Sequence, residues 1–313
     1  MTSISNHVGR TTFTRASRLL ASAVMFAVLG AAGGAALAQG KAAPKDDLAR
    51  TAIEAGAKKV LELDPKNFDR SENIDHAYWP LKPGNQWVTE GYALDDEGKK
   101  VPHRIVFTVT DLVKVIGGVR ARVIYDADFS KNKLQEQELT YFAQDKQGNV
   151  WHLGQYRETY EDEFIGGRVW TVDNPPGAKA GIYMPRVEDI KLGTVSFSQG
   201  YAPPPFNWTD RGRVFKVGHK DKVKAGSYDD VVVFEEFDGE KPGTVQLKSY
   251  ARGIGAIRIG TAGKASEGSE EMELVKFHKL GAKELEEVNK KAFELEKRGS
   301  MFPNPPMERA PLK

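Results

Sequence analysis

The sequence predicts a mainly β protein: an antiparallel meander, half-barrel or barrel-like, flanked by an N-terminal and a C-terminal helix. Three observations support this prediction. Between residues 78 and 277, short runs of β-branched and aromatic residues alternate with polar ones and are separated by turn-forming residues. Helical periodicity is confined to two segments outside this region. The chain has no cysteine, so its stability must come from a hydrophobic core and not from disulfides.

Residues 1–38 are expected to be a cleavable signal peptide. Three arginines without an acidic residue precede an uncharged, Ala- and Gly-rich run, residues 19–36. Ala36-Leu37-Ala38 then places small residues at the positions that signal peptidase reads. The glycines and the minimal length of the run favour cleavage over a membrane anchor. We therefore expect a periplasmic or secreted protein, without stable membrane insertion after cleavage.

The charge balance changes when the leader is removed. The whole chain has 45 Lys and Arg residues against 43 Asp and Glu residues, a net charge of +2. The three leader arginines leave 42 basic and 43 acidic residues, a net charge of −1. Such an evenly mixed surface gives no reason to expect nucleic acid as a partner.

Five regions follow from the pattern along the chain. After the signal peptide, residues 39–67 are predicted to hold a helix over residues 43–63 and a linker, and residues 68–279 to form the antiparallel β domain. Residues 280–299 are predicted to be a helix because their leucine, valine and alanine residues form one apolar stripe. Residues 300–313 contain four prolines and are predicted to be extended or disordered. The predicted strands are 86–93, 104–110, 113–116, 119–125, 134–144, 149–159, 168–172, 193–199, 213–217, 227–237, 244–251, 256–260 and 271–277.

The clearest hairpin joins residues 134–144 to 149–159. Asp145-Lys146-Gln147-Gly148 has the composition of a type I turn followed by a bulge, with Gly148 in the left-handed conformation. In residues 119–125 apolar residues alternate with Arg120 and Arg122, and this predicts a sheet with one face in water.

Four segments resemble a family of uncharacterised exported bacterial β-rich proteins. They are YWPLKPG at 78–84, AQDKQGNVWHLG at 143–154, GIYMP at 181–185 and YARGIG at 250–255. They match the family's YFPLKPG, AQDxxGNVWxxG, GIxMP and YAxGIG motifs, within a resemblance that runs from about residue 68 to 275. It implies export and a β-rich fold, and it implies no activity. Gln155 replaces the acid that usually ends the second motif, and residues 201–208, YAPPPFNW, replace a segment that is usually acidic.

Asp145, His152 and Glu158 are the candidate catalytic residues. One histidine and two carboxylates on a hairpin are the groups of an acid/base pair or of part of a metal site. The structural alternative is that Asp145 caps the turn and that His152 is an ordinary strand residue, since no second histidine lies two or four positions away. We therefore predict no metal site and no cofactor. The sequence contains no nucleophile elbow, HExxH, Walker or Rossmann motif.

The other polar residues of interest have structural interpretations. His76, His103, His219 and His278 occur singly and are predicted to lie on the surface or in loops. Asp126-Ala127-Asp128 lacks the glycine and the distal glutamate of a calcium loop and is interpreted as polarity at a strand end.

Aromatic residues are the candidate ligand contacts. Tyr201, Phe206 and Trp208 flank three consecutive prolines, and Trp151 lies in the hairpin. The sequence therefore predicts a non-catalytic binding or scaffold protein for a small apolar ligand or an envelope partner. The alternative is a periplasmic, hydrolase-like enzyme that uses the carboxylates and histidine of the 134–159 hairpin. A third hypothesis is an envelope assembly component that docks through its terminal helices and its proline-rich tail.

Overall fold

The computed structural model describes residues 56–95, 97–161, 163–204, 206–239, 245–262, 269–299 and 304–310. It confirms the predicted fold class: the strands form an antiparallel, nearly closed barrel-like sheet, with a helix at the C-terminal end. The predicted signal peptide lies outside the described residues, as does most of the predicted first helix.

In the described residues the strands are β1 (Asn85–Leu94), β2 (Lys100–Ile116), β3 (Val119–Ser130), β4 (Lys133–Gln144), β5 (Val150–Tyr160), β6 (Phe164–Thr171), β7 (Lys179–Met184), β8 (Phe197–Ser198), β9 (Gly200–Tyr201), β10 (Asp210–Val223), β11 (Gly226–Asp238), β12 (Val245–Ala251), β13 (Gly255–Ala262), β14 (Glu270–Lys279) and β15 (Glu308–Arg309). The alternation of residue types predicts most of the long strands, but it divides β2 into two, misses β7 and the short strands β9 and β15, and extends β8 to residues 193–199. The helix α1 is Ala282–Arg298, and Pro65–Asn67 and Val187–Asp189 are single 3-10 turns.

The sheet nearly closes on itself through one short segment. Its strand order is β8-β10-β11-β12-β13-β14-β1-β2-β3-β4-β5-β7-β9, with β6 on β5 and β15 on β2. The two ends of this order, β8 and β9, are separated in sequence only by Gln199. The sheet therefore has an interior, which the sequence pattern left undecided.

The β4–β5 hairpin is the one predicted. Its register runs from Glu136 opposite Thr159 to Gln144 opposite Val150. Gly148 has a φ of 97°, the left-handed conformation that the turn requires and that glycine adopts without strain.

Helix α1 begins two residues after the predicted start and ends one residue before the predicted end. The Gly281 N–H donates to the Glu284 carboxylate at 2.8 Å, which caps the first turn. Leu285, Ala292 and Leu295 are buried and form the predicted stripe. The tail is extended where it is described, and β15 pairs with β2. None of the described helical segments combines the length and the apolar character needed to cross a bilayer.

The helix predicted for residues 43–63 does not extend over residues 56–63, which are non-helical. Instead, the Lys58 carbonyl accepts a hydrogen bond from the guanidinium of Arg211 at 2.9 Å. Arg211 is buried, and the Ser196 carbonyl and hydroxyl also accept from its guanidinium. A buried guanidinium must find such acceptors, and this tertiary requirement overrides helix propensity in the segment.

The prediction of one face in water is wrong for β2 to β5, which are largely buried on both faces. Ile124 belongs to the interior core, whereas Val123 packs in a second cluster with Leu295 of α1 and Met307 of the tail. Arg122 is itself buried and donates to three backbone carbonyls, those of residues 72, 110 and 112. The helix and the tail, which alternation along β3 cannot reveal, cover the second face.

Candidate functional site

An interior cavity of about 100 Å³ is the candidate binding site. Aromatic and aliphatic side chains form most of its wall: Trp79, Trp87, Ile105, Phe107, Tyr183, Tyr250, Ala256 and Ile259. Five polar residues complete it: Thr89, Asp126, Gln246, Lys248 and Glu270. An apolar wall with a few polar groups is the usual composition of a small-molecule site.

Trp79 is the central aromatic residue of this wall. It comes from the segment before β1 and is almost completely buried. Its ring centroid lies 5.3 Å from that of Phe107, 5.4 Å from Tyr250, 5.5 Å from Tyr183 and 5.8 Å from Trp87. The segment before β1 therefore packs into the interior of the sheet and forms part of the cavity.

Three of the four motif segments meet here. Trp79 belongs to residues 78–84, Tyr183 to 181–185 and Tyr250 to 250–255. The hydroxyls of Tyr183 and Tyr250 are 3.0 Å apart. Burial raises the pKa of Tyr183 to about 12, so the hydroxyl stays protonated at neutral pH.

Lys248 is the cation of the cavity wall. Its ammonium lies 2.6 Å from a carboxylate oxygen of Glu236. Burial disfavours the ammonium, but the Glu236 carboxylate outweighs burial, and the pKa of Lys248 is raised. Lys248 is therefore a protonated ammonium donor whose charge is balanced by the Glu236 carboxylate.

A cluster of buried charges lies next to the cavity. Arg157 of β5 contacts Glu136 at 2.8 Å and Glu138 at 2.7 Å, both on β4. Asp128 pairs with Glu136 and Asp126 with Glu138 in the β3–β4 register, so the four carboxylates share one face. Burial, followed by the Glu138 and Asp128 charges, raises the pKa of Asp126 well above its usual range.

His103, Asp128 and Glu270 converge at the edge of this cluster. Nε2 of His103 lies 3.0 Å from Oδ1 of Asp128 and 3.5 Å from Oε1 of Glu270. The exposed fractions of the three residues are 4 %, 1 % and 1 %. Burial raises the pKa of Glu270 to about 8. Burial disfavours the charged His103 imidazole, but the neighbouring carboxylates outweigh it and raise its pKa. Among the described residues this is the group that could hold a metal ion.

Gly91 allows these three residues to meet. It pairs with His103 on β2 and with Met272 on β14, so β1 separates the strands that carry His103 and Glu270. A Cβ at Gly91 would lie 1.9 Å from the carbonyl oxygen of Glu271. Only glycine permits this approach of β1 to β14.

The structure does not bring the three predicted catalytic residues together. Asp145 accepts hydrogen bonds within the β4–β5 turn. Glu158 lies on the face of the sheet that α1 covers, and its carboxylate contacts Arg298 at 2.9 Å. His152 lies on the other face of the sheet, where Nδ1 is 3.1 Å from the Gln199 carbonyl. His152 and Glu158 are six residues apart on one strand, about 20 Å at the usual rise. Burial lowers the pKa of His152 to about 4, so its imidazole is neutral at pH 7.

The four predicted ligand-contacting aromatics lie elsewhere. Trp208 packs on Trp170 with ring centroids 5.6 Å apart, and Phe206 packs against the same small cluster. Tyr201 lies beneath the ammonium of Lys59, and Trp151 donates to Asp145 at 2.8 Å. None of the four belongs to the described wall of the cavity.

The structure places His103, Asp126 and Asp128 differently from the sequence prediction. His103 is buried within β2, and the two aspartates lie inside β3, not at its end. His76 lies in a loop, as predicted, but is buried. The i, i+2 spacing of the aspartates does predict that they share a face of the strand. That the face is interior follows only from closure of the sheet.

Two solved structures are similar to this chain at a low level. One is a candidate exported protein with a YmcC-like fold from Bacteroides fragilis, with a TM-score of 0.38 and 13% identity over 65% of this chain and 100% of that chain. The other is a candidate lipoprotein from Parabacteroides distasonis, with a TM-score of 0.29 and 13% identity over 65% of this chain and 99% of that chain. No family model and no curated protein matches the sequence. No conclusion about function rests on likeness at this level.

Proposed function

We propose that this chain is an exported, non-catalytic protein that binds a small ligand with one aromatic ring in its interior cavity. The observation that carries the proposal is the wall of the cavity. Trp79, Trp87, Phe107, Tyr183 and Tyr250 surround a single space within the sheet. Export is supported by the leader sequence, residues 1–38.

The size of the cavity limits the ligand. Its volume is about 100 Å³, and an engineered apolar cavity of about 150 Å³ accommodates benzene. The cavity is smaller than that one, so a single ring is the upper limit on the size of the ligand, and a substituted ring requires the side chains of the wall to shift.

The polar end of the cavity favours an uncharged polar substituent. Lys248 is neutralised by Glu236, and Gln246 donates to Glu270 at 3.3 Å. A hydroxyl group can donate to and accept from such groups, whereas a carboxylate would meet several buried acids nearby. Phenol is therefore a suitable probe.

A phenol titration of the purified protein tests this proposal. Trp79 and Trp87 lie in the cavity wall, so binding should change the tryptophan fluorescence saturably. We expect a Kd of about 1 mM or tighter, which corresponds to about −4 kcal/mol or more favourable.

Replacement of two alanines of β13 by phenylalanine, one inside and one outside the cavity wall, provides the comparison. Ala256→Phe fills the cavity and should abolish saturable binding. Ala262→Phe lies on the same strand outside the cavity wall and should bind phenol as the wild type does. If the wild type does not saturate, or if Ala256→Phe binds equally well, the cavity is not the ligand site.

A further inference from the structure

We propose that His103, Asp128 and Glu270 form a binding site for a divalent transition-metal ion of the Zn²⁺ or Mn²⁺ type. This site adjoins the aromatic cavity, with which it shares Glu270, and the argument for it does not depend on the proposed ligand.

The first argument is the geometry of the three ligand atoms. Two ligands bound to one tetrahedral ion at the usual distances of about 2.0–2.2 Å lie about 3.4 Å apart. Nε2 of His103 lies 3.0 Å from Oδ1 of Asp128 and 3.5 Å from Oε1 of Glu270. All three atoms lie within 4.8 Å of one another. Small side-chain rotations therefore place them around one ion.

The second argument is that these polar atoms lack hydrogen-bond partners. Both ring nitrogens of His103, both carboxylate oxygens of Asp128 and Oε1 of Glu270 make no hydrogen bond of acceptable geometry with the described residues. Buried polar atoms are nearly always hydrogen-bonded or bound to a metal. Their close contacts are the ion pairs of His103 with Asp128 and Glu270, and a bound metal ion would satisfy the remaining capacity of these atoms.

The third argument is the local charge. Arg157 and Lys248 are the permanent cations that interact with these carboxylates, and Lys248 is already paired with Glu236. Arg157 binds Glu136 and Glu138. Arg168 also lies near Glu136 and Glu138, so two arginines serve these two acids. Asp128 and Glu270 contact the imidazole of His103 instead. A divalent cation bound by Asp128 and Glu270 would stabilise their ionised forms in the interior.

The donor set selects the type of ion. Imidazole suits Zn²⁺ and other transition metals, while carboxylates suit Mn²⁺, Mg²⁺ and Ca²⁺. One imidazole with two carboxylates therefore favours Zn²⁺ or Mn²⁺ over Ca²⁺. Glu270 also lines the cavity, so the proposed metal site adjoins it.

Calorimetric titration of chelator-treated protein with ZnCl₂, MnCl₂ and CaCl₂ tests the site. We expect about one equivalent of Zn²⁺ or Mn²⁺ to bind at least about tenfold more tightly than Ca²⁺. The Tm should rise with the concentration of the bound metal, because the ion binds the native state only.

The variants His103→Gln and Asp128→Asn should weaken metal binding by about 100-fold or more. The control is His219→Gln, since His219 lies on β10 away from the cluster, and this variant should bind as the wild type does. Retention of wild-type affinity in both cluster variants would overturn the proposal.

A measurement on the wild type covers the case in which the variants do not fold. In ¹⁵N spectra of the histidine side chains, Zn²⁺ should shift Nε2 of His103 and leave His76 and His152 unchanged.

If the cluster is only an imidazolium paired with two carboxylates, no stoichiometric Zn²⁺ or Mn²⁺ binding will occur. That outcome, binding of Ca²⁺ alone, or a shift confined to His219 or His278 would each refute the site. Phenol binding by the wild type does not bear on this result, so the two proposals can fail separately.

Discussion

Asp145 shows how a residue with the chemistry of a catalytic group can have a structural role. Its carboxylate accepts from the N–H groups of Gln147 and Asn149, from the Asn149 amide and from the Trp151 indole. These bonds lie between 2.8 and 3.0 Å and hold the β4–β5 turn. A short acidic side chain is favoured at such a turn because it satisfies backbone donors that no strand partner reaches.

Replacement of Asp145 should therefore affect stability. We expect Asp145→Ala to lower the free energy of unfolding by about 2–3 kcal/mol, because four donors lose an ionised acceptor. Asp145→Asn should cost less, since one amide oxygen remains. Urea denaturation measures both values.

The neighbouring Lys146 is the matched control, because its side chain is exposed and donates to the Lys66 carbonyl at 2.8 Å. Lys146→Ala should change stability by less than about 0.5 kcal/mol. An Asp145→Ala variant as stable as the Lys146→Ala variant would show that the turn does not need the carboxylate.

At the scale of elements, α1 and the tail form one layer on the outer face of the sheet. Lys114 of β2 donates to Oε1 of Glu296 and to the Pro305 carbonyl, each at 2.6 Å. Glu296 in turn accepts from the Met307 N–H at 3.0 Å. The described part of the tail, residues 304–310, is thus bound within the chain.

Loss of the Glu296 carboxylate should loosen this layer. Glu296→Ala removes an acceptor of a nearly completely buried lysine, and we expect a loss of about 3 kcal/mol in the free energy of unfolding. The tail should also become more susceptible to proteolysis, which mass spectrometry of timed digests would detect.

Glu294→Ala on the same helix is the control, because Glu294 is exposed. It should stay within about 0.5 kcal/mol of the wild type. Equal losses in the two variants would mean that the Lys114–Glu296 pair does not hold the tail.

At the scale of the whole molecule, the interior combines groups whose pKa values are shifted in opposite senses. Burial lowers the pKa of His76 and of His152 to about 4. Burial raises the pKa of Asp210 to about 8. The unfolded chain binds more protons at the histidines between about pH 4 and 6.5, so their contribution to stability falls as the pH falls through this range. The folded chain binds more protons at Asp210 between about pH 4 and 8, so this contribution falls as the pH rises.

Removing one histidine should reveal its share of this balance. In His152→Phe, the free energy of unfolding at pH 5 relative to that at pH 8 should be more favourable to folding than in the wild type by about 2 kcal/mol, because no neutral buried imidazole remains to be charged on unfolding. Urea denaturation at the two pH values measures the difference.

Phe142→Leu tests whether packing alone explains such a change, since Phe142 contacts the His152 ring at 5.3 Å and cannot titrate. It should lower stability equally at both pH values. If His152→Phe keeps the pH dependence of the wild type, the imidazole is not held neutral in the native state.

The sequence by itself determined the elements whose causes are local. The hairpin at Asp145 and Gly148 follows from turn chemistry, and helix α1 follows from a 3.6-residue apolar stripe and its caps. Most strand positions follow from alternation in the same way. These signals need only a few neighbouring residues to be recognised.

The tertiary structure alone decided which faces are buried and which residues meet. His103 and Glu270 are 167 positions apart, and they approach because β1 pairs with both β2 and β14. Trp79 joins Tyr183 and Tyr250 because the segment before β1 fills the interior of the sheet. Residues 56–63 are non-helical, and Arg211, about 150 positions later, takes an acceptor from them. Alternation reports that two side chains share a face of a strand, but strand order and closure of the sheet decide whether that face meets water, a ligand or an ion.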